Sequence, residues 1–225
     1  MKPRIGSLVA IIVLIGAFVL LVKNYSTVSS RITKWLNENR DERRQYARLQ
    51  LLKGEMDLAV TGDPKGQFNV GSLFYNGISV ERDVGVAFTW WHKSALQGYA
   101  PAQSKLGECY SDGVGVAADK VEALKWHRLA AFNGDSTSMV WICNQHLEGG
   151  ILSTDKVEAI AYLTLAKRYA EANSDHQAIQ NASQVSLLLA IDPTITEETR
   201  IRGLKRADAL QKEIADNLAT KKSGK

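Results

Sequence analysis

Few residues in this chain can do acid–base, nucleophilic or metal chemistry. The histidines are His92, His127, His146 and His176, and the cysteines are Cys109 and Cys143. No two histidines stand three or four apart, so no helix presents a two-imidazole metal face. Cys143 and His146 are three apart and share a helix face. A thiol beside an imidazole can act as a nucleophile with its base. A small apolar thiol packed into a core is the plainer account. The motifs H-E-x-x-H, G-x-S-x-G and G-x-x-x-x-G-K-S/T do not occur in the sequence. The reading is therefore of a non-enzymatic protein, with no catalytic residues and no cofactor or metal expected.

Charge points away from nucleic acid. Lys and Arg number 28; without Lys2 and Arg4 there are 26 bases against 24 acids. The excess is local, in Arg200, Arg202, Lys205 and Arg206 and in the tail Lys221, Lys222 and Lys225. Neither cluster interleaves aromatics among its bases, so solvated helix surface and a frayed end explain them.

What must position any site is a repeat. Gly77, Gly113 and Gly149 are 36 residues apart, as are Asp83, Asp119 and Asp155 and Ala87, Ala123 and Ala159. Trp90, Trp126 and Tyr162 keep the same step and are expected as core wedges. A fixed period of this length marks a stacked array. Each repeat holds two helix-length blocks. The first are 64–75, 100–111 and 136–147; the second are 84–96, 120–132 and 156–169. The glycines between them allow positive φ as the first helix ends. Asp83, Asp119 and Asp155 are N-caps for the second helices, with Glu122 and Glu158 placed for capping boxes. Asp63-Pro64 opens the first. Cys109 and Cys143 are 34 apart, out of phase with the repeat, and are expected as free, largely buried thiols.

The segment Ala102-Gln103-Ser104-Lys105-Leu106-Gly107-Glu108-Cys109-Tyr110-Ser111-Asp112-Gly113-Val114-Gly115-Val116 resembles the Sel-one-like repeat, a relative of the tetratricopeptide repeat. Asp119 to Trp126, Ala130-Ala131 and Asn133-Gly134 continue the likeness. Repeat one carries Ile78-Ser79-Val80 at the turn; repeat three has Cys143 for the glycine, His146 for the aromatic and Lys167 for alanine. The resemblance implies an all-α solenoid and an adaptor or scaffold role, often in bacterial envelopes. It implies no single activity. A cysteine-rich secreted branch pairs cysteines within each repeat, a pattern this chain lacks.

Packing positions must recur, whereas recognition positions are free to differ. Three columns on the first helices differ between repeats: Asn69, Lys105, Trp141; Ser72, Glu108, Asn144; and Asn76, Asp112, Glu148. Steps of three and four place them on one stripe. In tetratricopeptide-type arrays the first helices line the concave surface. The stripe is the expected partner-binding groove, with Trp141 as aromatic anchor.

The ends complete the plan. Residues 1–4 are a basic lead, and 5–22 are eighteen residues without charge, long enough for a transmembrane helix. An uncleaved signal-anchor is expected; a cleaved signal and a buried helix are the alternatives. Residues 23–39 read as a stalk and 40–61 as a capping helix carrying Leu49, Leu51, Leu52, Met56 and Leu58. Residues 62–169 hold the three repeats. Residues 170–225 hold capping helices and a basic tail. The last helix is expected to turn Leu204, Ala207, Leu210, Ile214 and Leu218 to one face. The expected protein is a single-pass inner-membrane scaffold that recruits a protein partner, its array periplasmic; a cytoplasmic array is the alternative. A regulatory subunit of a membrane sensor or secretion machine and an envelope hydrolase are the rival functions.

Overall fold

A computed structural model describes residues 29–30, 40–149 and 151–222. The chain divides into two units, residues 1–51 and 52–225. In the first, the described residues are helical. The expected anchor and most of the stalk lie outside the described residues. Among those described, no helix is long and apolar enough to cross a membrane.

The helices are α1 (Arg40–Val60), α2 (Pro64–Asn76), α3 (Val84–Leu96), α4 (Ala100–Asp112), α5 (Lys120–Phe132), α6 (Ser136–Glu148), α7 (Lys156–Ala172), α8 (His176–Ile191) and α9 (Glu197–Lys222). Among the described residues there is no strand. Hairpins α2–α3, α4–α5 and α6–α7 stack in sequence through α3–α4 and α5–α6. This is the all-helical repeat array that the 36-residue period predicts.

Local chemistry sets the boundaries. Gly77, Gly113 and Gly149 end the first helices at φ 65°, 72° and 67°, where a side chain would be strained. Asp83 accepts from the Val86 amide, Asp119 from Val121 and Glu122, and Asp155 from Val157 and Glu158. Asp135 and Asp175 cap α6 and α8 in the same way, which the sequence reading did not assign.

The capping boxes do not close. Glu122 pairs with Lys125, and Glu158 accepts from Arg206 Nε at 2.8 Å. The reason is that the cap amides already have partners. Asp83, Asp119 and Asp155 donate to the carbonyls of Phe74, Tyr110 and His146, themselves 36 apart. Each cap therefore ties its hairpin shut.

The core wedges lie one residue beyond those expected. Trp91 and His127 are buried, whereas Trp90, Trp126 and Tyr162 are only half-buried. One residue is about 100° on a helix, which moves a ring from the core to the edge. A Cβ on Gly71 would sit 2.6 Å from Trp91 Cδ1, and one on Gly107 would sit 2.6 Å from His127 Cδ2. Glycine and buried ring thus form one unit, twenty residues apart. In repeat three the equivalent positions are Cys143 and Leu163, both buried in one core cluster: a larger first residue is matched with a branched chain instead of a ring.

Both ends depart from the simple capping picture. The last turns of α1 occupy the place of a second helix. Ala59, Ala95 and Ala131 are buried and 36 apart, and Gly62, Gly98 and Gly134 all have positive φ. Gln67 Nε2 donates to Ala59 O as Gln103 Nε2 does to Ala95 O. Leu52 and Met56 are half-buried, whereas Leu49, Leu51 and Leu58 are exposed. At the other end α7 runs four residues longer than α5, so Asp175 follows Asp135 by 40 rather than 36. The α8 helix packs on α6 and α7, while α9 packs along α7 and reaches α5. Gly203 lies where a Cβ would meet Ile160 Cγ2 at 2.6 Å. Ala207, Leu210 and Ile214 turn inward as expected and Leu218 is half-buried; Leu204 alone departs, being exposed while Gly203 is buried.

Candidate partner-binding face

The nine expected groove residues sit on α2, α4 and α6, the first helices of the three repeats. Asn76, Asp112 and Glu148 are exposed; the other six are half-buried. They form three rungs rather than one pocket. On α2, Asn69 Nδ2 donates to Glu55 Oε2 at 2.9 Å. Ser72 Oγ donates to Phe68 O, and Asn76 Nδ2 donates to Ser72 O.

The middle rung is the most polar. Lys105 pairs with Glu108, and its ammonium lies 5.9 Å from the centre of the Trp91 ring. Lys105, Glu108 and Asp112 line a recess of about 30 Å³ with Cys109, Val114 and Tyr75 of the preceding first helix. Arg82 lies over the Tyr75 ring at 5.4 Å and donates from Nε to Tyr75 O. Tyr75 and Arg82 are part of this surface and were not among the expected residues, although their columns (Tyr75, Ser111, Leu147 and Arg82, Ala118, Thr154) also vary.

Trp141 has a double role. Its ring stacks on His127 at 4.1 Å between centroids and 19° between planes. It occupies over His127 the place that Lys105 occupies over Trp91. Trp141 is therefore partly a wall of the core, and only its remaining surface can serve as an anchor. Among the described residues, no hydrogen bond joins Asn144 or Glu148 to the other rungs.

Beneath Trp141 runs a buried polar chain that the sequence reading missed. His127 Nδ1 lies 3.1 Å from Ser138 Oγ, and Ser138 Oγ donates to Ser104 Oγ at 3.0 Å. This arrangement suits an Nδ1–H tautomer. His127 Nε2 has no hydrogen-bond partner. Burial lowers the His127 pKa to about 3, so the imidazole is neutral. Burial also lifts the Asp135 carboxyl, opposed by hydrogen bonds from Ser138 and Ser104. The signal for this chain was available: Ser104 stands where its neighbouring repeats have Phe68 and Val140.

The candidate thiol chemistry does not assemble. Cys109 and Cys143 are free and buried. Burial pushes their thiols up to about 11 and about 12, away from the reactive thiolate. The His146 ring meets Ser153 O and stacks on Tyr162, not on Cys143. Among the described residues, no group of three or more His, Cys, Asp or Glu is placed to hold a metal ion.

The decisive comparison is with the family model of the Sel1 repeat, which matches residues 64–99, 100–135 and 138–168. The chain carries three Sel1 repeats. The helical phase of these Sel1 units is that of the hairpins described above. Among the solved structures that share the fold are the following two. One is a protective antigen present in uropathogenic Escherichia coli strains displaying an SLR fold, at 23% identity and TM-score 0.53 over 70% of this chain and 33% of that one. The other is a Sel1 repeat protein from Oxalobacter formigenes, at 23% identity and TM-score 0.55 over 70% of this chain and 44% of that one. The match thus spans less than half of either neighbour. No curated protein matches the chain. Sel1-repeat proteins are generally protein–protein interaction scaffolds rather than catalysts.

Proposed function

We propose that this Sel1 array is a membrane-anchored scaffold that holds a segment of a partner protein along the α2, α4 and α6 stripe. One observation carries the reading. Packing positions recur every 36 residues, while Asn69/Lys105/Trp141, Ser72/Glu108/Asn144 and Asn76/Asp112/Glu148 differ in chemistry yet retain solvent access. Surface that is regular in geometry and irregular in chemistry suits recognition of one extended partner. Eighteen uncharged residues at 5–22, led by Lys2 and Arg4, support an anchor with the array on the periplasmic side.

Photo-crosslinking in native membranes tests this. A crosslinker at Asp112 or Glu148 of the full chain is expected to capture a discrete protein, and one at Lys125 is not. Because Trp141 also covers His127, Lys105→Glu with Asp112→Lys is the cleaner perturbation. It should abolish capture and leave helicity unchanged; unaltered capture rejects the stripe. A reporter at the C-terminus gives the side of the membrane.

A further inference from the structure

The array ends out of phase at both sides, and the two ends are complementary. At the start, the last turns of α1 stand as a second helix, and among the described residues no first helix precedes it. Leu58 sits 36, 72 and 108 residues before Ser94, Ala130 and Ala166. Those three are fully buried, and Ser94 donates to Pro64 O of its own first helix. Leu58 is instead 51% exposed. At the other end, α8 is a fourth first helix, carried on α6 and α7. Its natural hairpin partner would be α9, which packs along α7 instead. Ser183 holds the register of Gly71, Gly107 and Cys143, all buried under a second helix, yet it is exposed. Leu187 holds the register of half-buried Tyr75, Ser111 and Leu147 and is 66% exposed.

We propose that copies of this chain associate head to tail, the α8 face of one closing on the Leu58 face of the next. The contact would continue the hairpin packing that α2–α3, α4–α5 and α6–α7 already make. Small Ser183 permits the close approach that Gly71 and Gly107 permit inside the array. In this register Leu58 is covered by the first turn of α8, as Ser94 is by Pro64, and Leu187 by the α1 turn of Leu51 and Glu55, as Tyr75 is by Trp91. The two faces differ, so the association is heterologous and does not stop at two copies. It is independent of the partner-binding stripe.

Sedimentation velocity of the full chain in density-matched detergent tests this across a concentration series. The wild type is expected to grow past dimer as concentration rises. Leu58→Asp alone and Leu187→Asp alone should each weaken association by about tenfold or more. Mixed together, they should form a dimer and nothing larger, because one intact head meets one intact tail. Leu58→Gln and Leu187→Gln replace them if circular dichroism shows lost helix. Lys105→Glu with Asp112→Lys should leave association unchanged. A wild type that stays monomeric overturns the proposal, as does a dimer ceiling in the wild type. So does a mixture that fails to pair, or single variants that assemble as the wild type does.

Discussion

Gly107→Ala isolates the close approach that sets the array's spacing. The added Cβ would lie 2.6 Å from His127 Cδ2 and Nε2. The ring cannot retreat, because Trp141 stacks on it at 4.1 Å between centroids. Overpacking of this kind costs about 1–3 kcal/mol, and the blocked retreat favours about 3. Alanine's better helix propensity offsets about 1 kcal/mol, leaving about 2. For a chain of this size that is a fall in Tm of about 4–8 °C. The Cys143 and Leu163 pair indicates how the cost is relieved: a larger first residue is accepted when a branched chain replaces the ring. Urea unfolding of the full chain, followed by far-UV circular dichroism, gives the cycle of Gly107→Ala, His127→Leu and both. The double variant should be more stable than the summed single costs by about 1 kcal/mol or more. Equal slopes against urea would show that the denatured state is unchanged. Additivity within about 0.5 kcal/mol would refute the steric pairing, as would a Gly107→Ala variant as stable as wild type.

Other outcomes follow from the same core. His127 is held at a pKa of about 3 against an ordinary 6.5, so below 6.5 the unfolded chain takes up a proton that the native state refuses. Stability should be full above that pH and fall toward pH 3 by at most about 1.4 kcal/mol per unit. His127→Leu should flatten the slope between about pH 6 and 4, and an unchanged slope would assign it elsewhere. Cys109 and Cys143 should react with a thiol-specific dye at least about a hundredfold more slowly in the native state than in urea. Labelling at the unfolded rate would show that the core opens freely. Gly203→Val should detach α9, since its side chain would strike Ile160 and the Val157 carbonyl. The expected cost is about 2 kcal/mol or more, read as faster proteolysis within 197–222; unaltered cleavage would deny the contact.

Much of the fold was legible because local chemistry writes it directly. Gly77, Gly113 and Gly149 needed only their own φ, and Asp83, Asp119 and Asp155 needed only amides two or three residues away. The stripe was legible in outline: its nine residues do lie on the first helices. Its texture was not. Tyr75 and Arg82 join Lys105 across a hairpin, and Trp141 is held by a histidine fourteen residues earlier in sequence but on another helix. The buried Ser104–Ser138–His127 chain joins three helices, so no single-helix pattern announces it.

By itself, then, the sequence determined the period, the helix ends and the turns, since each depends on backbone conformation and hydrogen bonds over a few residues. Tertiary structure alone decided that Trp91 and His127, not Trp90 and Trp126, fill the core, because a 100° step is judged only against the neighbouring helix. It also decided that Glu158 serves Arg206 rather than its own cap. Likewise it decided that α9 abandons α8 for α7. These outcomes turn on which surfaces approach within contact distance, and that competition is settled only when the helices are packed.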